Sequence, residues 1–316
     1  MLLHFYSDKE LKEILPHLKI VARALPTDKS RLVRIAKNEG RVVGMTGDGV
    51  NDSAALKHAD VGFAMGSGSE VAKEAGDIVI LDDNFSSITN AVRYGRTIFK
   101  SIRKFIIFQL TVNLAAVTTV FLGPFFGVEF PLTIIQLLWI NIIMDTLAAI
   151  AFGGEPALER VMKEKPVSRE ENIVSKYMAS SILTGGLYIT TMSIFFLTFT
   201  PFRDLFMRDG VANNEVFLAA FFNLFIFLIV FNSFNARTEK LNLLDNITHN
   251  IVFLQIIGLI IILQVVMTFV GGTVLRMIPL QPMEWLCVII LALTIIPVDI
   301  IRKLVLRGRN KELAHV

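Results

Sequence analysis

The sequence predicts an α/β domain with a parallel, Rossmann-like sheet, followed by a six-helix transmembrane bundle. Three observations carry that prediction. Short apolar runs alternate with helix-like segments over residues 1–83. A helix-forming segment beginning near Phe85 meets no strong stop signal before the apolar stretch beyond Lys104. Six apolar stretches then follow, each suited to the ~20 residues that cross the hydrocarbon core.

Composition sets the outer limits. A chain of 316 residues has room for about two domains. With 53% hydrophobic residues and 25 Phe it is too apolar to be one soluble domain. The net charge of +3 is small, and no nucleic-acid partner is expected. The one cysteine, Cys287, excludes an internal disulfide framework and reads as a core or lipid-facing residue. Met1 to Tyr6 is too short an apolar run for a signal peptide, and Asp8-Lys9-Glu10 follow at once, so insertion is expected to rely on later segments.

Taken in order, Asp8 to Leu15 reads as an amphipathic helix and Leu18 to Ala22 as a strand. Thr27-Asp28-Lys29-Ser30 opens a second helix to about Asn38. Arg41 to Met45, Val61 to Met65 and Asp77 to Leu81 read as strands, with helices over Ser53 to Lys57 and Ser69 to Ala75 between them. Asp82-Asp83-Asn84 can cap the long helix from Phe85, in which Gly95 is the one weak point. Residues 84–104 form a stalk in which Arg93, Arg96, Lys100, Arg103 and Lys104 gather before the bilayer. The spans fall at about 105–123, 132–152, 178–199, 216–234, 248–270 and 283–304, within a membrane domain of 105–304, and 305–316 form a tail. Gly, Asn and Gln interruptions favour a packed bundle in contact with membrane lipid over isolated anchors.

Charge orients the bundle. Arg160, Lys163, Lys165, Arg169, Lys176, Arg237, Lys240, Arg302, Lys303, Arg307, Arg309 and Lys311 lie on one side. Only Arg203, Arg208 and Arg276 lie on the other, so the positive-inside rule puts both termini in the cytoplasm.

Two groups of residues can carry chemistry. In Gly44-Met45-Thr46-Gly47-Asp48-Gly49-Val50-Asn51-Asp52, a short buried strand led by Val42 and Val43 runs into a turn with Gly on both sides of Asp48. Asp52 follows four residues later at a helix start. Strand, turn and helix N-terminus make a common anion and metal site. Two carboxylates there suit Mg²⁺ shared with a phosphate oxygen. A solvated turn in which Asp caps the helix has the same pattern. The second group lies in the membrane. Asp145 sits deep in the second span, where an ionised carboxylate costs ~2.5–3.5 kcal/mol on insertion scales, so it needs a cation, a proton or a partner. Asn141 is one helical turn earlier and Asn113 lies at comparable depth in the first span. Their oxygens are hard ligands of the type Ca²⁺ takes. An Asn–Asn–Asp hydrogen-bond cluster joining two helices is the structural alternative. Other intramembrane polar residues read as ordinary: Asn232 and Asn235 at a boundary, Gln255 and Gln264 joining helices, Asp299 in an interfacial ion pair with Lys303, and Glu284 snorkelling at the outer face.

Together these parts resemble the C-terminal part of a P-type cation-transporting ATPase. Thr46-Gly47-Asp48-Gly49-Val50-Asn51-Asp52 matches the hinge motif of that family's haloacid-dehalogenase-like phosphorylation domain, and six spans follow it. Ala24-Leu25-Pro26-Thr27-Asp28-Lys29 looks like the segment whose lysine contacts the phosphorylated aspartate. The resemblance implies that Asp48 holds Mg²⁺, that Asn51 and Asp52 organise that site, and that Thr46, Gly47 and Lys29 lie against the phosphate. It is nearest the plasma-membrane-type calcium pumps, on Gln109-Leu110-Thr111-Val112-Asn113, on Trp139 to Thr146, and on Glu155-Pro156. It then implies one Ca²⁺ on Asn113, Asn141 and Asp145, because Ala116 stands where two-site pumps have a Glu. Ala54 stands where many members have Pro, a departure expected to affect local stiffness.

The resemblance also implies an ATP-driven, aspartyl-phosphate cycle in a multi-pass protein of the plasma membrane. No DKTGT occurs in these 316 residues. The phosphorylated aspartate and the nucleotide domain that binds ATP are therefore expected on a missing N-terminal half, and the phosphorylation domain here is expected to be partial. A split or truncated gene product, or a boundary of sequence assembly, would account for that. Two other readings stay open: a non-catalytic remnant or regulatory partner of an intact pump, and a pump for Mn²⁺, Na⁺ or H⁺.

Overall fold

The computed structural model describes residues 5–168, 171–208, 211–212 and 214–309. Met1 to His4, Arg169 and Lys311, on which the reading of the N-terminus and the charge bias partly rest, lie outside the described residues. The chain divides into two units. One comprises residues up to Arg96 with Ala157–Asn172; the other comprises Thr97–Pro156 and the chain from Ile173 onward.

The first unit begins with α1 (Asp8–Ile14), whose N-cap Ser7 forms a capping box with Glu10. Then comes α2 (Pro26–Asn38), with Pro at the first helical position, where its missing N–H costs nothing. Leu11 and Ile35 bury against each other, joining these two helices. Strands β1 (Gly44–Gly47), β2 (Val61–Met65) and β3 (Ile78–Ile80) alternate with α3 (Ser53–His58) and α4 (Glu70–Ala75). The sheet is parallel in the order β1-β2-β3, with Thr46 opposite Phe63 and Phe63 opposite Ile78. Phe63 and Ile80 form a small core with Ile88 from the base of the next helix. Arg96 donates to the carbonyls of Val161 and Glu164, both at 2.9 Å, which ties residues 157–172 to this unit.

The strand expected at Leu18 to Ala22 is absent. That segment is irregular and Ile20 is 81% exposed, because no neighbouring strand offers it a ladder. The first strand also starts three residues later than Arg41. Val42 is exposed rather than buried, since pairing begins only where Gly44 meets Val61.

The 38-residue α5 (Phe85–Leu122) passes Gly95 unbroken, and the division between the units falls within it. Its start is capped as expected: Asn84 Oδ1 accepts from Ser86 N at 2.9 Å, and Asp82 accepts from Ser87 Oγ at 2.8 Å. Among the described residues, six helical segments are long and apolar enough to cross a membrane. After α5 these are α6 (Ile134–Trp139) continuing through a π-helical turn (Ile140–Met144) into α7 (Asp145–Gly153), and α8 (Lys176–Thr198). A short α9 (Thr200–Leu205) and a two-stranded ribbon, β4 (Met207–Arg208) and β5 (Val211–Ala212), lead to α10 (Asn214–Arg237). Then follow α11 (Ile251–Val270), and α12 (Pro282–Leu293) with α13 (Ile295–Arg309) as one broken span. Pro297 explains the break at Thr294, because it cannot donate the i→i−4 bond that would continue α12. The bundle is built around α10, whose apolar window is 89% buried; α8, α11, α12 and α13 pack on it.

Two intramembrane readings change, and a third gains a partner. Glu284 does not snorkel: it is buried, pairs with Arg208 at 3.2 Å and accepts from Gln281 N at 2.6 Å. Gln255 is exposed on α11 and makes no hydrogen bond among the described residues. Asp299 pairs with Lys303 at 2.9 Å, but the pair is buried and includes Arg302, at 2.6 Å. Arg302 stacks on the Tyr177 ring, and Lys303 caps the end of α10 through the carbonyls of Asn235 and Thr238.

Candidate functional sites: a carboxylate turn and an intramembrane cleft

In the first unit, β1 delivers Thr46 and Gly47 to the turn, and a single 3₁₀ turn (Val50–Asp52) leads into α3. Asp52 is buried, and its Oδ1 accepts from Lys29 Nζ at 2.5 Å. The sequence places these two residues 23 apart, and the fold brings them together because α2 packs on α3. Gly47 is required at this point. A Cβ there would come within 2.5 Å of Asp52 Cβ and displace the carboxylate. Asp48 and Asn51 are exposed at the turn, and Thr46 is half-buried.

Sequence reasoning missed the loop that supports Asp48. Ser69 N donates to the Asp48 carbonyl at 2.8 Å, and a Cβ on Gly68 would lie 2.8 Å from the same oxygen. The Gly66-Ser67-Gly68-Ser69 run was the available signal: small residues admit a close backbone approach. Asp83, in the left-handed region at φ 52°, closes this loop by accepting from Ser67 N at 3.1 Å. Those Ser67 hydrogen bonds hold the Asp83 carboxyl below the ordinary carboxylate range.

The donor set of the turn fits Mg²⁺ through one carboxylate. Lys29 and Gly49 N already engage Asp52, the latter at 3.4 Å, which leaves Asp48 as the exposed carboxylate. Mg²⁺ commonly takes one or two carboxylates and completes its shell with water and phosphate oxygens.

In the second unit, Asn113, Asn141 and Asp145 line one open cleft of about 710 Å³, with Gln109, Phe105, Thr146 and Ala149. All three predicted residues are therefore brought together. Asp145 is 8% exposed, whereas Asn113 and Asn141 face the cleft. Gln109 Nε2 donates to Asp145 Oδ2 at 2.6 Å. Asp145 Oδ1 and Gln109 Oε1 are both buried, and neither has a hydrogen-bond partner. Buried oxygens without partners are rare and ask for a ligand. Sequence reasoning cited Gln109 only as part of a motif; its place one helical turn before Asn113 on α5 was the signal for a site role.

Asn141 and Asp145 were expected on one face of an α-helix. Asn141 sits instead in the π-helical turn, and Asp145 closes it at the start of α7, its N donating to Ile140 O, five residues back. Such turns are uncommon and recur at functional sites. Among the described residues no group of three or more His, Cys, Asp or Glu gathers into a metal cluster. The cleft instead offers amide oxygens and one carboxylate, hard donors suited to an alkaline-earth cation.

A lone carboxylate and three amides facing a cleft among membrane-spanning helices is the make-up of an ion-handling membrane protein. The chain belongs to the cation-transporting ATPase family: residues 129–305 match the family described as "Cation transporting ATPase, C-terminus". Residues 34–92 match "haloacid dehalogenase-like hydrolase", in agreement with the parallel sheet. Among full-length relatives, the chain is 39% identical over 308 residues to a probable calcium-transporting ATPase 6, plasma membrane-type, of Oryza sativa subsp. japonica. That alignment covers 96% of this chain and 30% of the relative. It is 39% identical to calcium-transporting ATPase 10, plasma membrane-type, of Arabidopsis thaliana, over 95% of this chain and 28% of that protein. It is 42% identical to calcium-transporting ATPase 12, plasma membrane-type, of the same plant, over 83% and 25%. The chain thus spans under a third of the length of these relatives.

Proposed function

We propose that the chain is the C-terminal portion of an ATP-driven P-type pump that exports cytosolic Ca²⁺ through an aspartyl-phosphate cycle. One Ca²⁺ binds between α5 and α6–α7, on Asn113, Asn141 and Asp145. The observation that carries this reading is the pair of buried, partnerless oxygens, Asp145 Oδ1 and Gln109 Oε1, in a cleft that already holds two amides. A structural cluster would have satisfied them internally. The names of the relatives support the choice of Ca²⁺.

At the carboxylate turn, Asp48 holds Mg²⁺, which when bound neutralises phosphate charge. Lys29 lies beside that phosphate and is held there by Asp52. Gly47 leaves room for the Asp52 carboxylate, and the Gly68–Ser69 loop fixes the backbone of Asp48. Thr46 and Asn51 complete the rim. The acceptor aspartate and the ATP-binding domain come from outside these 316 residues, so this polypeptide alone forms no phosphoenzyme. The protein is a multi-pass component of the plasma membrane with both termini cytoplasmic.

The test is Ca²⁺ uptake by vesicles in which the chain is co-produced with the DKTGT-bearing upstream part of a plasma-membrane-type relative. ATP-dependent uptake is expected, and Asp145→Asn abolishes it. Uptake that survives Asp145→Asn overturns the ion site, and uptake of Mn²⁺ or Na⁺ in place of Ca²⁺ overturns the choice of ion.

A further inference from the structure

The π-helical turn that carries Asn141 and is closed by Asp145 is an intrinsically poor conformation, and something must hold it. Its two flanks are pinned to the same neighbouring helix. On the α6 side, Trp139 Nε1 donates to Gln264 Oε1 of α11 at 3.1 Å. Gln264 in turn donates to Asn223 Oδ1 of α10 at 2.9 Å, and Thr268 Oγ1 donates to the same oxygen at 3.0 Å. Gln264 is 1% exposed, and Asn223 and Thr268 are fully buried. On the α7 side, Phe152 packs on Phe253 of α11, with ring centroids 5.8 Å apart, and a Cβ on Gly154 would lie 2.5 Å from Val252.

The extra residue in the ladder is therefore trapped between two fixed points. Relaxing the π turn to α would rotate its flanks by about 100° relative to one another. That rotation would break the Trp139–Gln264 bond or slide Phe152 off Phe253. We propose that the buried Trp139–Gln264–Asn223–Thr268 network is the latch that holds this turn, and that Gln264 and Trp139 are positioning residues for the cation cleft. Neither lines the cleft. The assignment of a cation to that cleft rests on the function proposed above; the latch itself rests on the hydrogen bonds.

The experiment uses the whole 316-residue chain in lipid nanodiscs, with two readouts: amide hydrogen exchange over residues 141–146, and equilibrium binding of Ca²⁺ alone. Gln264→Leu removes both the acceptor for Trp139 and the donor to Asn223. It is expected to raise exchange at 141–146 about tenfold while α8 stays protected, and to weaken Ca²⁺ binding by about tenfold. Gln264→Glu, kept neutral by burial, still accepts from Trp139 and donates to Asn223, and is expected to behave as wild type. Trp139→Phe should reproduce Gln264→Leu, and the double variant should be no worse than either. If the wild type binds no Ca²⁺ but exchange responds as stated, the ion assignment fails and the latch stands. Unchanged exchange in Gln264→Leu overturns the latch, and so does a rise that extends equally through α8 and α10.

Discussion

Gln109 holds one oxygen of Asp145 at 2.6 Å and leaves the other buried and bare. One side chain on α5 thus fixes the orientation of the carboxylate on the wide turn and limits how much of it faces a ligand. Replacing Gln109 by Leu frees Asp145 to rotate without removing its charge. Affinity for Ca²⁺ is expected to fall ~10–100-fold, the usual cost of losing a group that orients a metal ligand. Asp145→Asn should abolish binding. Equilibrium Ca²⁺ titration of the reconstituted chain checks both, and equal losses in the two variants would contradict the supporting role given to Gln109.

Lys29→Met leaves the Asp52 carboxylate buried with only the long bond from Gly49 N. The Lys29 side chain is 38% exposed, so solvent already screens the pair. A loss of ~1–2 kcal/mol is expected, less than for a fully buried pair. Hydrogen exchange at Ala55 and Leu56 of α3 would report it. Adding Asp52→Asn to Lys29→Met should recover most of the loss, since no uncompensated charge remains.

The Asp83–Ser67 loop should respond to pH in a defined direction. The folded-state pKa of Asp83 is lowered by its Ser67 hydrogen bonds. Its contribution is therefore fully present above the ordinary carboxylate value of about 3.9. It is lost as pH falls through the lower folded value. Asp83→Asn tolerates the left-handed backbone and removes only the charge. Proteolysis of the Gly66–Ser69 loop should be faster than wild type at neutral pH, and the two rates should converge in acid. A difference that persisted at the lowest pH would refute the assignment.

Removing the anion from the Asp299–Arg302–Lys303 cluster should be severe. Asp299→Ala strands two buried cations, and ~3–5 kcal/mol of stability is expected to go. Replacing all three with Leu or Met removes the desolvation cost along with the pairing. It should restore much of the loss, as read by the midpoint of detergent-induced unfolding. A single variant as stable as wild type would show that the cations find water.

The parts set by local chemistry were legible beforehand. A helix long and apolar enough to cross a membrane covers each of the six expected stretches, because a run of ~20 apolar residues has few other fates. The Asn84 cap was readable for the same reason: its partner, Ser86, lies two residues on. Asp145 stood out because a carboxylate at that depth needs a purpose. What escaped depends on distant neighbours. Leu18 to Ala22 has strand-like composition, yet a strand exists only where another offers hydrogen bonds. Nothing in residues 134–153 encodes an extra residue per turn; anchors on α11 impose it. Glu284 and Gln255 exchanged their expected settings: Arg208 reaches Glu284, while Gln255 is exposed on α11.

The enclosure of Asn223 bears on the order in which this bundle can be assembled. Its carbonyl oxygen is satisfied by Gln264 and Thr268, which lie 41 and 45 residues later in the chain. While α10 is threaded, those partners have not yet been made. The Asn223 amide can meanwhile reach back only to its own helix, at Ala219 O. Its oxygen enters the bilayer still seeking a donor, and arrival of α11 resolves that need. Closure of the bundle at Asn223 therefore waits on α11, the only helix among the described residues whose side chains donate to that oxygen.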